Sequence, residues 1–176
     1  MKIRVFQASD EAAIVALWQE CGLTRPWNDP HADIARKLTE QPELFLVGTV
    51  ADEPVATAMV GFDGHRGWVY YLAVSPRYRR QSYGRSLMRE AERLLIERGC
   101  PKLNLLVRSS NAEAIQFYGK LGYAQDDAVS LGRRLIHDQM PNSLGEANGR
   151  QPVQSDTDRT SETAASRRSP ECYLSR

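Results

Sequence analysis

An α/β domain built on a mixed sheet is the fold class this sequence predicts, and three observations predict it. Short runs rich in β-branched and aromatic residues alternate with runs whose apolar residues recur every three or four positions. Two strand-like runs are joined only by the turn "ADEP", which makes a hairpin. A further strand, "WVYYLAVS", passes through a glycine-bearing turn straight into the longest helical run.

Each element follows from its residues. "KIRVF" is a first strand. Ser9 is placed to cap the next helix, and Asp10 and Glu11 put negative charge in its first turn, where the helix dipole favours it. Ala13, Ile14, Leu17, Trp18 and Cys21 then recur at helical spacing. "RPWNDP" is a proline-bracketed turn, and "HADIARKLTEQ" is a short helix that stops at Pro42. "LFLVGTV" and "VATAMVGF" form the hairpin, "DGHRG" is a second turn, and "WVYYLAVS" is the next strand. "YGRSLMREAERLLIERG" buries Leu87, Met88, Ala91, Leu94 and Leu95 and stops at Gly99. "KLNLLV" is a strand, and "NAEAIQFYGKLG" is a helix ended by Gly122. "YAQDD" and "VSLGRRL" are expected to close the sheet. The order is β-α-α-β-β-β-α-β-α-β-β.

After Met140 the character changes. The segment 141–176 has few apolar residues and no periodicity, and cannot bury enough surface to offset the entropy of ordering it. Its acidic residues (Glu146, Asp156, Asp158, Glu162, Glu171) equal its basic ones (Arg150, Arg159, Arg167, Arg168, Arg176) in number, so it is no basic arm. The sequence predicts a folded domain over residues 1–140 and a disordered polar tail over 141–176.

The whole chain of 176 residues carries a formal charge of only +1, which argues against nucleic-acid binding through bulk electrostatics. Cys21, Cys100 and Cys172 are scattered and odd in number, which reads as reduced thiols of a cytoplasmic protein rather than a disulfide frame or a metal site. No signal-like leader and no membrane-length apolar run is evident.

Against that balance, "VSPRYRRQSYGRSLM" gathers Arg77, Arg79, Arg80 and Arg85 around Gly84. Pro76 ends the strand, and a helix begins a few residues later. A helix N-terminus offers N–H groups without intrahelical partners and a partial positive charge, and arginines add donors matched to phosphate. Gly84 permits close backbone approach. A diphosphate site and a solvated basic face are both consistent with the turn alone.

The turn is followed, about 25 residues on, by "NAEAIQFYGKLGY", and the pair resembles the GCN5-related N-acetyltransferases, the GNAT superfamily. That family carries Arg/Gln-x-x-Gly-x-Gly/Ala after a V-x-P strand end, then N-x-x-A-x-x-x-Y-x-x-x-G-F/Y on a later helix. "RPWNDP" and "GFDGHRG" further resemble the bacterial YpeA-type acetyltransferases. The resemblance implies a mostly antiparallel central sheet flanked by helices, with a splayed strand pair at the cofactor cleft. It implies acetyl-CoA as cosubstrate, with the diphosphate on Arg79, Arg80, Gln81, Ser82, Tyr83 and Gly84, beside Arg85. The pantetheine arm would lie along Leu72, Ala73 and Val74, pairing with open strand edge. The Val74 N–H would face the thioester carbonyl. Asn111 would bond the pantetheine, although an asparagine there also suits a helix N-cap. Tyr118 would protonate the departing thiolate, whereas Phe117 reads as packing. One departure stands out: Ser82 replaces the family's first loop glycine.

An amine acceptor must lose a proton, and no carboxylate lies within "WVYYLAVS". Asp29, Asp63, His65, Tyr70 and water are the candidates. Trp27 would serve as an acceptor platform or as packing. The leading function is an acetyl-CoA-dependent N-acetyltransferase acting on an amine of a small molecule, peptide or protein by direct attack in a ternary complex. A non-catalytic CoA-binding regulatory module is the alternative, and a nucleic-acid-binding protein ranks below it. No membrane partner is expected, and a homodimer is left open.

Overall fold

The computed structural model describes residues 1–136 and Asp138, so the proposed tail over 141–176 lies outside the described residues. Nine regular elements carry the architecture: β1 (Lys2–Val5), α1 (Glu11–Glu20), α2 (Pro30–Thr39), β2 (Phe45–Val50), β3 (Glu53–Phe62), β4 (Gly67–Val74), α3 (Tyr83–Glu97), β5 (Leu103–Leu105) and α4 (Ala112–Gly119). The strands form one sheet in the order β1-β2-β3-β4-β5. The pairs β1–β2, β2–β3 and β3–β4 are antiparallel, and only β4–β5 is parallel. Parallel pairing needs a long crossover, and α3 is that crossover.

Both faces of the sheet are covered, which is why "FLVGTV" and "EPVATAMVGF" read as nearly continuous apolar runs rather than alternating ones. On one face, Ile14, Leu17, Trp18 and Ile34 from α1 and α2 pack with Phe45, Val47, Met59 and Ala73. On the other, Leu87, Met88, Ala91 and Leu95 of α3 pack with Leu46, Val55, Ala58, Val60 and Val69, and Phe117 and Tyr118 of α4 join them. The β2–β3 turn is tight because Ala51 (φ 49°) and Asp52 (φ 63°) both sit left-handed, the geometry that matches strand twist.

Three expectations are corrected. Ser9 does not cap α1. It lies in a single 3-10 turn, Ala8–Asp10; Asp10 is the N-cap of α1 without a side-chain cap bond, and its carboxylate instead accepts from the Gln7 N–H at 2.8 Å and pairs with Arg4. Within the first helix Ala13 is exposed and Val15 is buried. "YAQDD" and "VSLGRRL" form no strand among the described residues. β5 is only three residues long, so it offers little ladder to a further strand. The segment is instead tied down by side chains: Lys102 pairs with Asp126, Arg134 donates to the Trp27 carbonyl at 3.0 Å, and Asp138 pairs with Arg36.

Candidate active site

The centre of the site is an irregularity in β4. Thr57 faces Ala73 and Met59 faces Tyr70, so β4 carries one residue more than β3 between these pairs. Tyr71 absorbs the extra length at φ 50°, a conformation unfavourable for a side chain of its size. Three neighbours hold it there. Its ring stacks on Trp18 with centroids 3.9 Å apart. Its hydroxyl donates to Asp33 Oδ2 at 2.6 Å. Its carbonyl, displaced from the ladder, accepts from the Thr57 hydroxyl at 2.8 Å, and Thr57 in turn accepts from the Trp18 indole N–H at 3.0 Å. Burial and the Asp33 carboxylate push the Tyr71 phenol far above its ordinary range, so it stays protonated.

The bulge also reverses which way the strand faces. The Gly67 N–H donates to Lys102 O at 2.9 Å, so Gly67 and Val69 address β5. Beyond the bulge, Ser75 N–H donates to Val55 O at 2.9 Å, so Ser75 and Ala73 address β3. Strand alternation then turns the N–H groups of Leu72 and Val74 to the other side. β5 pairs only as far as Val69, so that side is open. This is the splayed pair, and it presents Leu72 and Val74 as unclaimed strand edge. The Val74 carbonyl accepts from the Cys21 thiol at 3.5 Å. Burial pushes that thiol up, against the pull of the neighbouring Arg79.

The arginine turn lies at the end of this edge. Arg80 (φ 63°) and Ser82 (φ 62°) are both left-handed, and Ser82 is the N-cap of α3 without a side-chain cap bond. Alternating left-handed residues before a helix turn successive N–H groups to one side, the geometry of an anion nest. Among the described residues, Arg77, Arg79, Arg80 and Arg85 form no ion pairs. A basic cluster without internal partners, around such a backbone, fits a diphosphate. Gly84 has a second role that sequence did not reveal: a Cβ there would lie 3.2 Å from Phe117 Cζ, so its smallness lets α4 close on α3.

Tyr118 sits on α4 beside Phe117, its ring edge-on to Tyr123 with centroids 5.9 Å apart. Burial alone pushes its phenol up to about 12. Asn111 caps α4, accepting from the Ala114 N–H at 3.1 Å.

The base candidates fare differently. Asp63 accepts from the N–H groups of His65 (2.7 Å) and Arg66 (2.6 Å) and from Trp68 Nε1 (3.0 Å). Those donors hold it at about 2, too weak a base for an ammonium. Asp29 caps α2 by accepting from the His31 N–H at 2.9 Å. His65 is exposed in its turn. Tyr70 stacks on Trp68 rather than on a neighbouring strand, and burial keeps its phenol protonated. Trp27 is half exposed. Asp33, Trp68 and Tyr71 were not singled out in the sequence. Nothing local separates Tyr71 from Tyr70, because the bulge is set by Trp18 and Thr57. A cavity of about 570 Å³ opens on the α2 side of β3 and β4, lined by these residues.

Residues 12–123 match the acetyltransferase (GNAT) family. An acetyltransferase of Yersinia enterocolitica is 51% identical over 139 residues, covering 79% of this chain and 99% of that protein. Among solved structures, Ard1 from Thermoplasma volcanium is 31% identical with a TM-score of 0.64, covering 70% of this chain and 82% of that one. The PaiA N-acetyltransferase of Thermoplasma acidophilum, solved with coenzyme A, shares the fold with a TM-score of 0.64 at 18% identity, covering 73% of this chain and 92% of that one.

Proposed function

We infer the roles of these residues from one premise: the chain belongs to the GNAT family of acetyltransferases. It is therefore an acetyl-CoA-dependent N-acetyltransferase, and the reaction forms a C–N bond to an amine as the thioester C–S bond breaks. The roles proposed for individual residues follow from the motif resemblance, and the geometry of the open edge and of the arginine turn supports them. The loop 79–84, with Arg79, Arg80, Gln81, Ser82, Tyr83 and Gly84, binds the diphosphate through backbone N–H groups, and Arg85 adds charge at its rim. Leu72, Ala73 and Val74 receive the pantetheine arm along the open edge of β4. The Val74 N–H stabilises negative charge developing on the carbonyl oxygen, a contribution that a single fixed donor makes at the level of ~10²–10³-fold. Tyr118 donates its proton to the departing thiolate. A phenol held near 12 is fully protonated at neutral pH, so its proton is in place when the thiolate departs. Asn111, already spent on capping α4, reaches the pantetheine only as a secondary contact.

The ammonium proton leaves through water in the cavity. Support for this comes from the local chemistry of the alternatives: Asp63 is too acidic, Asp29 is committed to a helix cap, and Tyr70 stays protonated. Attack is direct: the Cys21 thiol, which donates to the Val74 carbonyl, is pushed up by burial and so disfavoured as a thiolate nucleophile, and Cys100 donates to Lys102 O. The scattered, unpaired Cys21 and Cys100 support a cytoplasmic location. Among the described residues no helix is long and apolar enough to cross a membrane.

The observation that carries the assignment is the unpaired arginine nest placed at the end of the open β4 edge. The test is release of free CoA thiol from acetyl-CoA across a panel of amines, together with the melting temperature with and without CoA. A rise with CoA and thiol release with at least one amine is expected. No shift with CoA would remove the loop from the binding site.

A further inference from the structure

The cavity on the α2 side of the sheet has an end that the acetyl-transfer chemistry does not need. The bulge at Tyr71 places Tyr70 and Tyr71 consecutively on its wall, where regular alternation would put them on opposite faces. Toward the β3–β4 turn, Trp68 and Tyr70 stack with centroids 6.4 Å apart and planes 14° from parallel. Trp68 is locked by its indole N–H on Asp63 Oδ2 at 3.0 Å. The three groups that donate to Asp63 are all neutral, so its negative charge is oriented but not cancelled. The cations on the same wall are spent. Arg36 pairs with Asp33 and Asp138, and buried Lys37 donates to the Glu40 carbonyl at 2.8 Å with the Glu40 and Glu43 carboxylates close enough to act on its charge. What remains available to a ligand is aromatic face and carboxylate.

Aromatic faces beside a carboxylate bind organic cations. We propose that this end of the cavity is a subsite for a second cationic group on the acceptor, seated on Trp68 and Tyr70 beside Asp63, remote from the amine that is acetylated. The inference rests on the acetyltransferase reading and deepens it: the substrate class is a long diamine or a lysine- or arginine-bearing peptide, not a simple monoamine. The strand sets the spacing. Val74 and Tyr70 are four residues apart on bulged β4 and face Ala56 and Met59, three residues apart on β3, so the span is roughly 10–13 Å at about 3.3 Å per residue. The two nitrogens of the acceptor must span a comparable length.

The test uses the full chain and acceptors of one length with different far ends: 1,10-diaminodecane, decylamine and 10-aminodecanoate. The diamine is expected to show kcat/KM at least about tenfold above decylamine, with the amino acid poorer still, and shorter diamines should lose the advantage. Tyr70→Leu keeps an apolar side chain and removes the aromatic face. It should raise KM for the diamine roughly 5- to 20-fold, the span of a partly desolvated cation–π contact, and raise KM for decylamine far less. Equal kcat/KM for the three acceptors overturns the proposal. A second measurement is independent of chemistry: calorimetric titration with decamethonium, whose quaternary nitrogens cannot be acetylated. Binding that weakens in Tyr70→Leu supports the subsite. Absence of binding overturns it even when amines are acetylated. Decamethonium binding without any acetylation keeps the subsite and overturns the acetyltransferase reading instead.

Discussion

Gly84 and Phe117 lie so close that a Cβ on Gly84 would stand 3.2 Å from Phe117 Cζ. Gly84 is in the first turn of α3, behind the arginine nest, and Phe117 precedes Tyr118 on α4. The contact therefore joins the part proposed to bind diphosphate to the part proposed to carry the general acid. Gly84→Ala gains helix propensity of about 1 kcal/mol but forces the half-buried Phe117 ring to move by a few tenths of an ångström. The two effects oppose each other in stability, so the melting temperature should stay within a few degrees. Catalysis has no such compensation, because Tyr118 moves with Phe117. We expect kcat to fall several-fold, with partial recovery in Gly84→Ala/Phe117→Leu. Steady-state kinetics on both variants checks this, and an unchanged kcat in the single variant would uncouple the two helices.

Tyr118→Phe deletes one hydroxyl and keeps the ring against Phe117 and Tyr123. The ring packing is retained, so stability should barely change. General-acid contributions suggest a loss of ~10²–10⁴-fold in kcat with KM for acetyl-CoA little altered. The pH profile adds a second check. The phenol is pushed up to about 12 by burial, so it stays protonated over the working range. In the wild type kcat/KM should climb as the acceptor amine deprotonates and show no decline from Tyr118 below roughly pH 11. An alkaline limb near pH 9 that vanishes in Tyr118→Phe would show a phenol in a quite different environment.

Most of the framework was legible because local chemistry set it. Asn111 caps a helix, Gly99 ends α3 with φ 72°, and Ala51–Asp52 make the hairpin turn. The loop arginines, the long helix and the strand before them likewise follow from order and spacing. What sequence could not supply is tertiary. The bulge depends on Trp18 and Thr57 meeting Tyr71, residues distant in sequence, and no local pattern announces it. Val129 and Leu131 alternate as strand residues do, yet both are exposed, because a three-residue β5 gives them nothing to pair with. Asp63 suggested a base by type, and its three donors make it a turn anchor instead.

Ser82 stands where the resembled family carries its first loop glycine. A Cβ there would crowd a phosphate bound to the loop, which is one cause for a glycine at this place. The backbone supplies a further cause, since φ is 62° and an L-residue pays roughly 1 kcal/mol to sit there. Ser82→Gly relieves that strain but loosens the unfolded chain, so net stability should change by no more than about 0.5 kcal/mol. With the Cβ gone and the loop relaxed, CoA should bind up to about fivefold tighter, which is about 1 kcal/mol. Pantetheine, which lacks the diphosphate, should bind equally to both proteins. Calorimetry with the two ligands decides, and a matching gain for pantetheine would mean that Ser82 acts through the fold rather than on phosphate.

Asp10 offers the clearest link between acid and stability. Its buried carboxylate accepts from Arg4 Nη1 at 2.6 Å, from Arg4 Nη2 at 2.8 Å and from the Gln7 N–H at 2.8 Å. Arg4 lies on β1, so these bonds fasten the edge strand to the start of α1. The Arg4 bonds lead in holding the carboxyl below its ordinary value, and burial opposes them. A folded value below the unfolded one, about 3.9, means the contribution is fully present above that pH and is lost as pH falls through the folded value. The wild type should therefore lose melting temperature steeply below about pH 4. Asp10→Asn removes the charge and leaves the part-buried Arg4 without its counter-ion, at a cost of about 2–3 kcal/mol near pH 7. Its melting temperature should be lower at neutral pH and flatter on the acid side, so that the two curves converge as pH approaches 3. Thermal unfolding from pH 3 to 7 measures this. Parallel curves would show that Asp10 contributes shape but no proton-linked stability, and that the acid sensitivity of the fold resides in other carboxylates.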